Sequence, residues 1–251
     1  MRISATIICL NEQENIVACI ESLQKVADEI IVLDSGSTDN TVELAKGAGA
    51  LVFHQDFLGH IRQKNAAVAL AKYDYILSLD ADEQLSDELI SSINEVKYNT
   101  HLQAFSMNRL NYFCGQWIRH TGWYPDRKIR LWHRAVGAWG GTNPHDRVII
   151  HDGVEVGWLK GDILHYTYRR REDFDSQSDR FARIAAEAMF KEGRSVGVFP
   201  IYFRALFRFV RDYLLKAGFL DGKAGWIISV GNARYTFLKY YLLKQYYRKK
   251  G

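Results

Sequence analysis

The stretch YDYILSLDADEQLSDEL, residues 73–89, decides how the rest of the chain is read. An apolar run, Tyr75-Ile76-Leu77-Ser78-Leu79, ends abruptly at Asp80-Ala81-Asp82-Glu83, and a helical pattern follows over 87–96. A short apolar run bounded by polar residues reads as a buried strand. Carboxylates crowded at its end repel one another, so this corner calls for a positive charge.

Working outward, the same strand-then-helix unit recurs upstream. Residues 4–10 precede a helix with Ile16, Ile20 and Leu23 on one side. Residues 29–33 precede a helix over 38–46 that stops near Gly47, and 50–54 precede one over 61–72. Strands alternating with helices of this length imply right-handed βαβ units and a parallel sheet, an α/β fold. In such sheets ligands bind beyond the carboxyl ends of the strands. Those ends read Asn11-Glu12, Asp34-Ser35-Gly36-Ser37, Gln55-Asp56 and Asp80-Ala81-Asp82. Acceptors and carboxylates collected on one edge point to a nucleotide and metal site. Magnesium suits it, because that ion takes one or two carboxylates and fills its remaining positions with phosphate and water.

Beyond Tyr98 the pattern changes to short strands over 103–113, 128–134, 147–150, 154–159 and 163–168, separated by glycine-rich turns. A helix follows over 175–192, with Phe181, Ile184, Ala185, Ala188 and Met189 on one face and Gly193 as its stop. At 251 residues, 47% hydrophobic and 25% charged, the chain has ordinary globular composition. No uncharged stretch approaches the roughly 18–20 residues of a spanning helix. Cys9, Cys19 and Cys114 are scattered without a C-x-x-C pair, which argues for a reducing cytoplasm and against a disulfide framework or zinc site. The apolar residues 3–10 run straight into polar 11–15 with no small-residue cleavage site, so no signal peptide is expected.

The formal net charge of +4 conceals an asymmetry. Residues 194–251 carry 12 Lys/Arg against two Asp/Glu, while the preceding body carries 21 against 27. We therefore expect a catalytic domain over 1–193, with halves 1–100 and 101–193, and a basic, aromatic helical tail over 194–251. In the tail Tyr202, Leu206, Phe207, Phe209, Val210, Tyr213 and Leu214 share one helical arc beside Arg204, Arg208 and Arg211. Such a C-terminal amphipathic helix suits a membrane interface. Packing on the body or on a second copy of the chain is the alternative. Nucleic acid is not expected, because a tail this apolar makes a poor single-strand groove.

Three motifs carry a family resemblance: Ile7-Ile8-Cys9-Leu10-Asn11-Glu12, then Ile31-Val32-Leu33-Asp34-Ser35-Gly36-Ser37-Thr38-Asp39-Asn40-Thr41, then Leu79-Asp80-Ala81-Asp82-Glu83. Their order, spacing and strand-end placement resemble the family 2 glycosyltransferases. The resemblance implies the GT-A fold, a Rossmann-like, mostly parallel sheet flanked by helices, and inverting transfer from a nucleotide-diphosphate sugar. Through it Asp34 is expected to hydrogen-bond the uracil ring, with Leu10 and Asn11 facing the base. Arg62 or Lys64, in Arg62-Gln63-Lys64-Asn65-Ala66, would lie toward the nucleotide. Asp80 would face the ribose or donor sugar, and Asp82 would hold Mg²⁺ or Mn²⁺ on the diphosphate. Glu12, Ser37 and Ala81 complete the expected nucleotide-sugar set. Many relatives carry Asp-Asp where this chain has Asp34-Ser35.

A narrower resemblance rests on Gly122-Trp123-Tyr124-Pro125-Asp126, Pro144-His145-Asp146, Leu164-His165-Tyr166-Thr167-Tyr168 and Gly218-Phe219-Leu220-Asp221-Gly222. These are similar to the lipopolysaccharide core β-1,4-glucosyltransferases, in which Val-His-Glu stands where this chain has Pro-His-Asp. The carry-over makes Asp146 the general base. His165 would be a diphosphate or metal contact or else a structural residue. Arg169, in Arg169-Arg170-Arg171, would contact phosphates unless Glu172 and Asp173 neutralise it. Trp123, Tyr124, Trp132 and Trp139 divide between acceptor stacking and core.

The expected reaction moves a hexose, glucose foremost, from a UDP-sugar to a lipopolysaccharide-core or other lipid-linked saccharide. The expected location is the inner face of the cytoplasmic membrane, with self-association through the tail as a further possibility. A sugar nucleotidyltransferase is the rival enzyme class, but it carries a glycine-rich basic loop after strand one, where this chain has Asn11-Glu12-Gln13-Glu14. A non-catalytic module retaining only the donor site is the other rival, and the acid at position 146 argues against it.

Overall fold

The computed structural model describes residues 1–142 and 145–250. Pro144 of the expected Pro-His-Asp motif, with Asn143 before it, lies outside the described residues. The chain divides into two compact units, the first comprising Met1–Arg109 with Asp126–His165 and the second Leu110–Pro125 with the chain from Tyr166 onward.

The first unit opens with the expected alternation: β1 (Ile3–Cys9), α1 (Ile16–Gln24), β2 (Glu29–Asp34), α2 (Thr41–Gly47), β3 (Leu51–His54), α3 (His60–Ala69) and β4 (Tyr75–Asp80). The strands β3, β2, β1 and β4 lie side by side and parallel. Ile16, Ile20 and Leu23, spaced for one helical face, are fully buried against Ile3, Ala5 and Ile7 of β1. The second helix starts three residues later than its apolar pattern suggests. Asp39 holds the entry turn open, accepting from the Thr41 amide (3.0 Å) and hydroxyl (2.5 Å).

Next come β5 (Glu83–Leu85), α4 (Asp87–Tyr98), β6 (Ala104–Phe113), β7 (Gln116–Ile118), β8 (Asp126–His133), β9 (Gly137–Thr142), β10 (His145–Ile150) and β11 (Val156–Tyr168). The main sheet continues from β4 through β8, β6 and β11 to β5, with β8 antiparallel to β4 and β5 antiparallel to β11. Only Ala81 and Asp82 join β4 to β5, yet β8, β6 and β11 stand between those strands in the sheet. Two residues span at most about 10 Å, roughly two strand spacings, so the sheet curls until its β5 end returns to β4 at this corner. That curl, not visible in the alternation of strands and helices, sets Asp82 next to β11. The hairpin of β9 and β10 forms a separate two-stranded sheet.

Two strands expected over 154–159 and 163–168 are one, β11, which passes through Gly161 at φ +89°. A Cβ there would collide with the Leu89 amide nitrogen and lie 2.7 Å from Leu89 Cα, so the strand needs glycine to pass the first turn of α4.

The second unit holds β7, paired with the end of β6, and the helices α5 (Arg171–Lys191), α6 (Val198–Val210) and α7 (Gly222–Lys250). The expected boundary at 193 therefore does not separate compact units. α5 packs along α7 through Arg234 on Asp179 (2.8 Å) and Phe190 against Tyr246 and Tyr247. Its buried face is Phe174, Ala182 and Ala186, whereas Phe181 and Ile184 are exposed, a correction to the face read from spacing. Alanines allow the close approach to α7, and the larger residues stay outside. Asp221 ties its segment to the 119–120 loop, accepting from the amides of Arg119 (3.3 Å) and His120 (2.8 Å).

Gly161→Ala should lower unfolding free energy by about 2–4 kcal/mol, because backbone must move to admit the methyl group. Urea denaturation with an unchanged m-value checks this. A loss below about 0.5 kcal/mol would contradict the close passage.

Candidate active site

The strand ends of β1, β2 and β4 meet on one edge of the first unit. Asn11 leaves β1 in the left-handed region at φ +56°, where asparagine is tolerated better than most residues. Its amide donates to Ser37 Oγ (2.8 Å), and its side-chain oxygen accepts from the Thr38 amide (2.8 Å). The Glu12 amide donates to Thr41 Oγ1 (2.7 Å). Leu10 stays half-exposed on the rim.

Asp34, 4% exposed, faces its own loop. It accepts from the Gly36 amide (3.0 Å), the Ser37 amide (3.0 Å) and the Ser37 hydroxyl (2.5 Å), and from Cys9 Sγ at 3.6 Å. Burial alone would raise its pKa, but the Ser37 and Gly36 donors outweigh burial and hold it below the usual value. The carboxylate thus organises the loop between β2 and α2. Gln63, fully buried on α3, secures the neighbouring loops through Ser35 Oγ (3.1 Å) and the Gln55 carbonyl (3.0 Å). Its role was not read from the sequence.

Of the two basic candidates on α3, Lys64 points inward and Arg62 is exposed. Lys64 Nζ lies 2.8 Å from Asp80 Oδ1 and 2.8 Å from Asp146 Oδ2, and 4.2 Å above the Trp139 ring. One buried ammonium therefore joins the carboxylate at the end of β4 to the expected base on β10. Asn65 fixes the hairpin beside it, exchanging hydrogen bonds with the Trp139 amide (3.1 Å) and carbonyl (2.9 Å).

Asp80 has a second cation. Arg130 Nη2 reaches Asp80 Oδ2 (3.2 Å) and Glu83 Oε1 (3.0 Å), and Arg109 bridges Glu83 (3.2 Å) and Asp126 (2.8 Å). Desolvation works against the ionised Asp80, but Lys64 and then Arg130 overcome it and hold its pKa far below the usual range. Glu83 is fully buried and accepts from the Asp80 amide (3.0 Å), so it braces the strand end from behind. Glu83, Arg109 and Arg130 were not assigned roles from the sequence. For the two arginines the signal available was a charge between apolar neighbours, Arg109 before Leu110 on β6 and Arg130 between Ile129 and Leu131 on β8.

Asp82 is half-buried and meets His165 Nε2 at 3.1 Å, because the curled sheet sets His165 opposite Glu83. Ala81 between them is buried, and its small side chain fits the tight corner. Glu12 stands on the same edge. Its pKa is raised first by burial, eased by the Asn15 hydrogen bond, and raised further by Asp82, Asp39 and Asp80. This corner favours a cation. Among the described residues no three His, Cys, Asp or Glu side chains form a metal cluster. Arg169 falls in the second unit, exposed, with its guanidinium 5.2 Å from the Tyr166 ring centroid. Of the expected aromatics, Trp132 is core, and Trp139 walls a cavity of about 770 Å³ that also touches Lys64, Asp80 and Asp146.

A curled, mixed sheet flanked by helices, with acids at its strand ends, is a GT-A-like fold. The model of Glycosyl transferase family 2 matches residues 4–176, and the chain belongs to that family. An uncharacterized glycosyltransferase of Rickettsia typhi is 28% identical over 97% of this chain and 87% of its own length. The lipopolysaccharide core biosynthesis glycosyltransferase LpsC of Rhizobium meliloti is 26% identical over 94% and 89%. Glucosyl-3-phosphoglycerate synthase of Mycobacterium tuberculosis, crystallised with Mn²⁺, UDP and glucosyl-3-phosphoglycerate, is similar over 44% of each chain, at 24% identity and a TM-score of 0.37.

Replacing Lys64 by methionine leaves Asp80 and Asp146 to repel across a buried gap. Lys64→Met should cost about 3 kcal/mol at pH 7. Asp80's pKa is depressed in the folded state, so its contribution is present above the unfolded value near 4 and is lost as pH falls below it. The deficit should thus hold from pH 7 to about 5 and narrow below about 4. Urea titrations across that range check it, and a deficit that grows on acidification would contradict the assignment.

Proposed function

We propose that the chain is an inverting hexosyltransferase that moves a sugar, glucose foremost, from a UDP-sugar to a saccharide on a lipid carrier, of the lipopolysaccharide-core kind that LpsC's name indicates. The observation that carries this reading is Lys64 between Asp80 and Asp146, with Asp82 and His165 at the same corner. A nucleotidyltransferase has no use for an acid across the cavity from its donor site.

Each residue then has a task. The loop ordered by Asp34, Ser37 and Asn11 frames the base, with Leu10 on its rim. Asp80 and Ala81 face the ribose and donor sugar. Asp82 and His165 would hold Mg²⁺ or Mn²⁺, an oxygen and an imidazole nitrogen that leave the other positions to diphosphate oxygens and water. Such an ion supplies positive charge to the departing diphosphate. Asp146 takes the proton of the acceptor hydroxyl as its oxygen attacks the anomeric carbon from the face opposite the diphosphate. Lys64 holds Asp146 in place relative to Asp80. Arg62, exposed and away from the cavity, is outside this scheme, and Arg169 is set aside as a surface residue of the second unit.

The location proposed is the inner face of the cytoplasmic membrane. No helix among the described residues is long and apolar enough to cross a membrane. α6 instead leaves Phe199, Phe203 and Leu206 exposed at 78%, 57% and 63%, and Leu214, Leu215, Phe219 and Leu220 continue the apolar surface of this unit. The arginine stripe differs from expectation. Arg208 and Arg211 turn onto buried Asp212 at 2.7 and 2.8 Å, since a carboxylate can be buried only with partners. Arg204 rests on Tyr240. The net positive charge of residues 194–251 favours anionic lipid and disfavours a second copy of the same surface.

Slow release of UDP from UDP-glucose with Mn²⁺ should be lost in Asp82→Ala. Asp146→Asn should bind UDP within about twofold of wild type yet lose at least about 100-fold in transfer. If Asp82→Ala releases UDP normally, the donor assignment fails. Phe203→Asp with Phe207→Asp should abolish sedimentation with phosphatidylglycerol vesicles while donor hydrolysis stays intact. Unchanged sedimentation would remove the membrane from the scheme.

A further inference from the structure

The cavity beside Asp146 carries more positive charge than the donor reaction needs. Lys64, Arg109, Arg127, Lys128, Arg130 and Arg147 line it, against the carboxylates of Asp80 and Asp146. Internal pairing uses up part of this set. Lys64 is taken by the two aspartates, Arg109 by Glu83 and Asp126, and Lys128 by Asp126 at 2.9 Å. Arg130 is paired through Nη2 to Asp80 and Glu83, and what is left over is its other donors together with Arg127 and Arg147. Arg130 is 3% exposed, and its Nε and Nη1 find no hydrogen-bond partner among the described residues. Arg127 and Arg147 make no ion pair among the described residues, and the Arg127 guanidinium lies 4.3 Å from the Trp158 ring centroid.

A buried guanidinium with idle donors is costly unless something accepts from them. Planar, stacked arginines are suited to oxyanions, which they grip with paired N–H groups. We infer that this cavity is a subsite for an anionic group, a phosphate or carboxylate, carried by the acceptor saccharide. The inference rests on the transferase reading above and narrows its substrate class. The donor's diphosphate is the other source of such an anion, and two observations disfavour it. Neither Asp82 nor His165 lines the cavity, and its excess of cations repels the divalent ion that accompanies a diphosphate. Asp146 stands in the same wall, so the anion would sit beside the hydroxyl that reacts. A neutral glycan would leave Arg127 and Arg147 without a counter-charge on binding and is selected against for that reason.

Inorganic phosphate titrated calorimetrically into the full chain tests this, alone and with saturating UDP and Mn²⁺. UDP should leave phosphate affinity within about twofold, because the diphosphate is assigned to Asp82 and His165, outside the cavity, and only Asp80 is shared. The double variant Arg127→Gln, Arg147→Gln, at exposed positions that keep the fold, should weaken phosphate at least about tenfold and leave UDP affinity unchanged. Phosphate displaced by UDP would give these cations to the donor, and phosphate that does not bind, or binds the double variant normally, would overturn the subsite. A separate UDP titration without heat would sink the donor reading instead, while the phosphate result still decides the present one.

Discussion

One ammonium group organises the first unit. Lys64 rises from α3 into a space where water is scarce and meets two carboxylates from distant parts of the chain. Burying a charge is costly unless it is paired, and here the three charges pair with one another. The three groups therefore define one another's positions. Around them, Arg130 and Arg109 carry the pairing back through Glu83 and Asp126, so the corner after β4 is braced from beneath. This bracing holds crowded acids on a strand end before any cation from solution arrives.

The second unit obeys the same rule at Asp212, which draws Arg208, Arg211 and Asn232 onto one buried carboxylate. With those arginines turned inward, the outward face of α6 is left aromatic and aliphatic. A ladder of Phe199, Phe203 and Phe207, stacked at 6.3 and 6.4 Å, covers one side of a helix that presents few charges of its own. Exposed apolar area on this scale marks an interaction surface. The positive character of the unit comes mainly from residues beyond this face.

Much of the donor half was legible before folding. The apolar runs, their spacing and the polar residues that end them gave the parallel strands to within one or two residues, because each reflects local burial with a fixed period. The strand-end residues followed, since chain direction in a parallel sheet puts every carboxyl end on one edge. The partners of those residues were not legible. Lys64 and Asp146 are 82 positions apart, Glu83 and Arg130 are 47, and nothing in local pattern pairs them. The apolar face of α5 was misjudged for a related reason: close packing on α7 prefers Ala182 and Ala186 to the bulkier residues that dominate a hydrophobic pattern.

By itself, then, the amino-acid sequence determined the order of elements, the acids at the ends of β1, β2 and β4, and the polarity of each half, all properties of neighbours along the chain. Tertiary structure alone decided that Lys64 and not Arg62 faces inward, that Asp34 serves its own loop, that His165 meets Asp82, and that Arg130 keeps idle donors in a cavity. The physical reason is the curl of the sheet. A connection of two residues forces the β5 edge of the sheet back to β4, and the contacts made there depend on that curl, which no local pattern encodes.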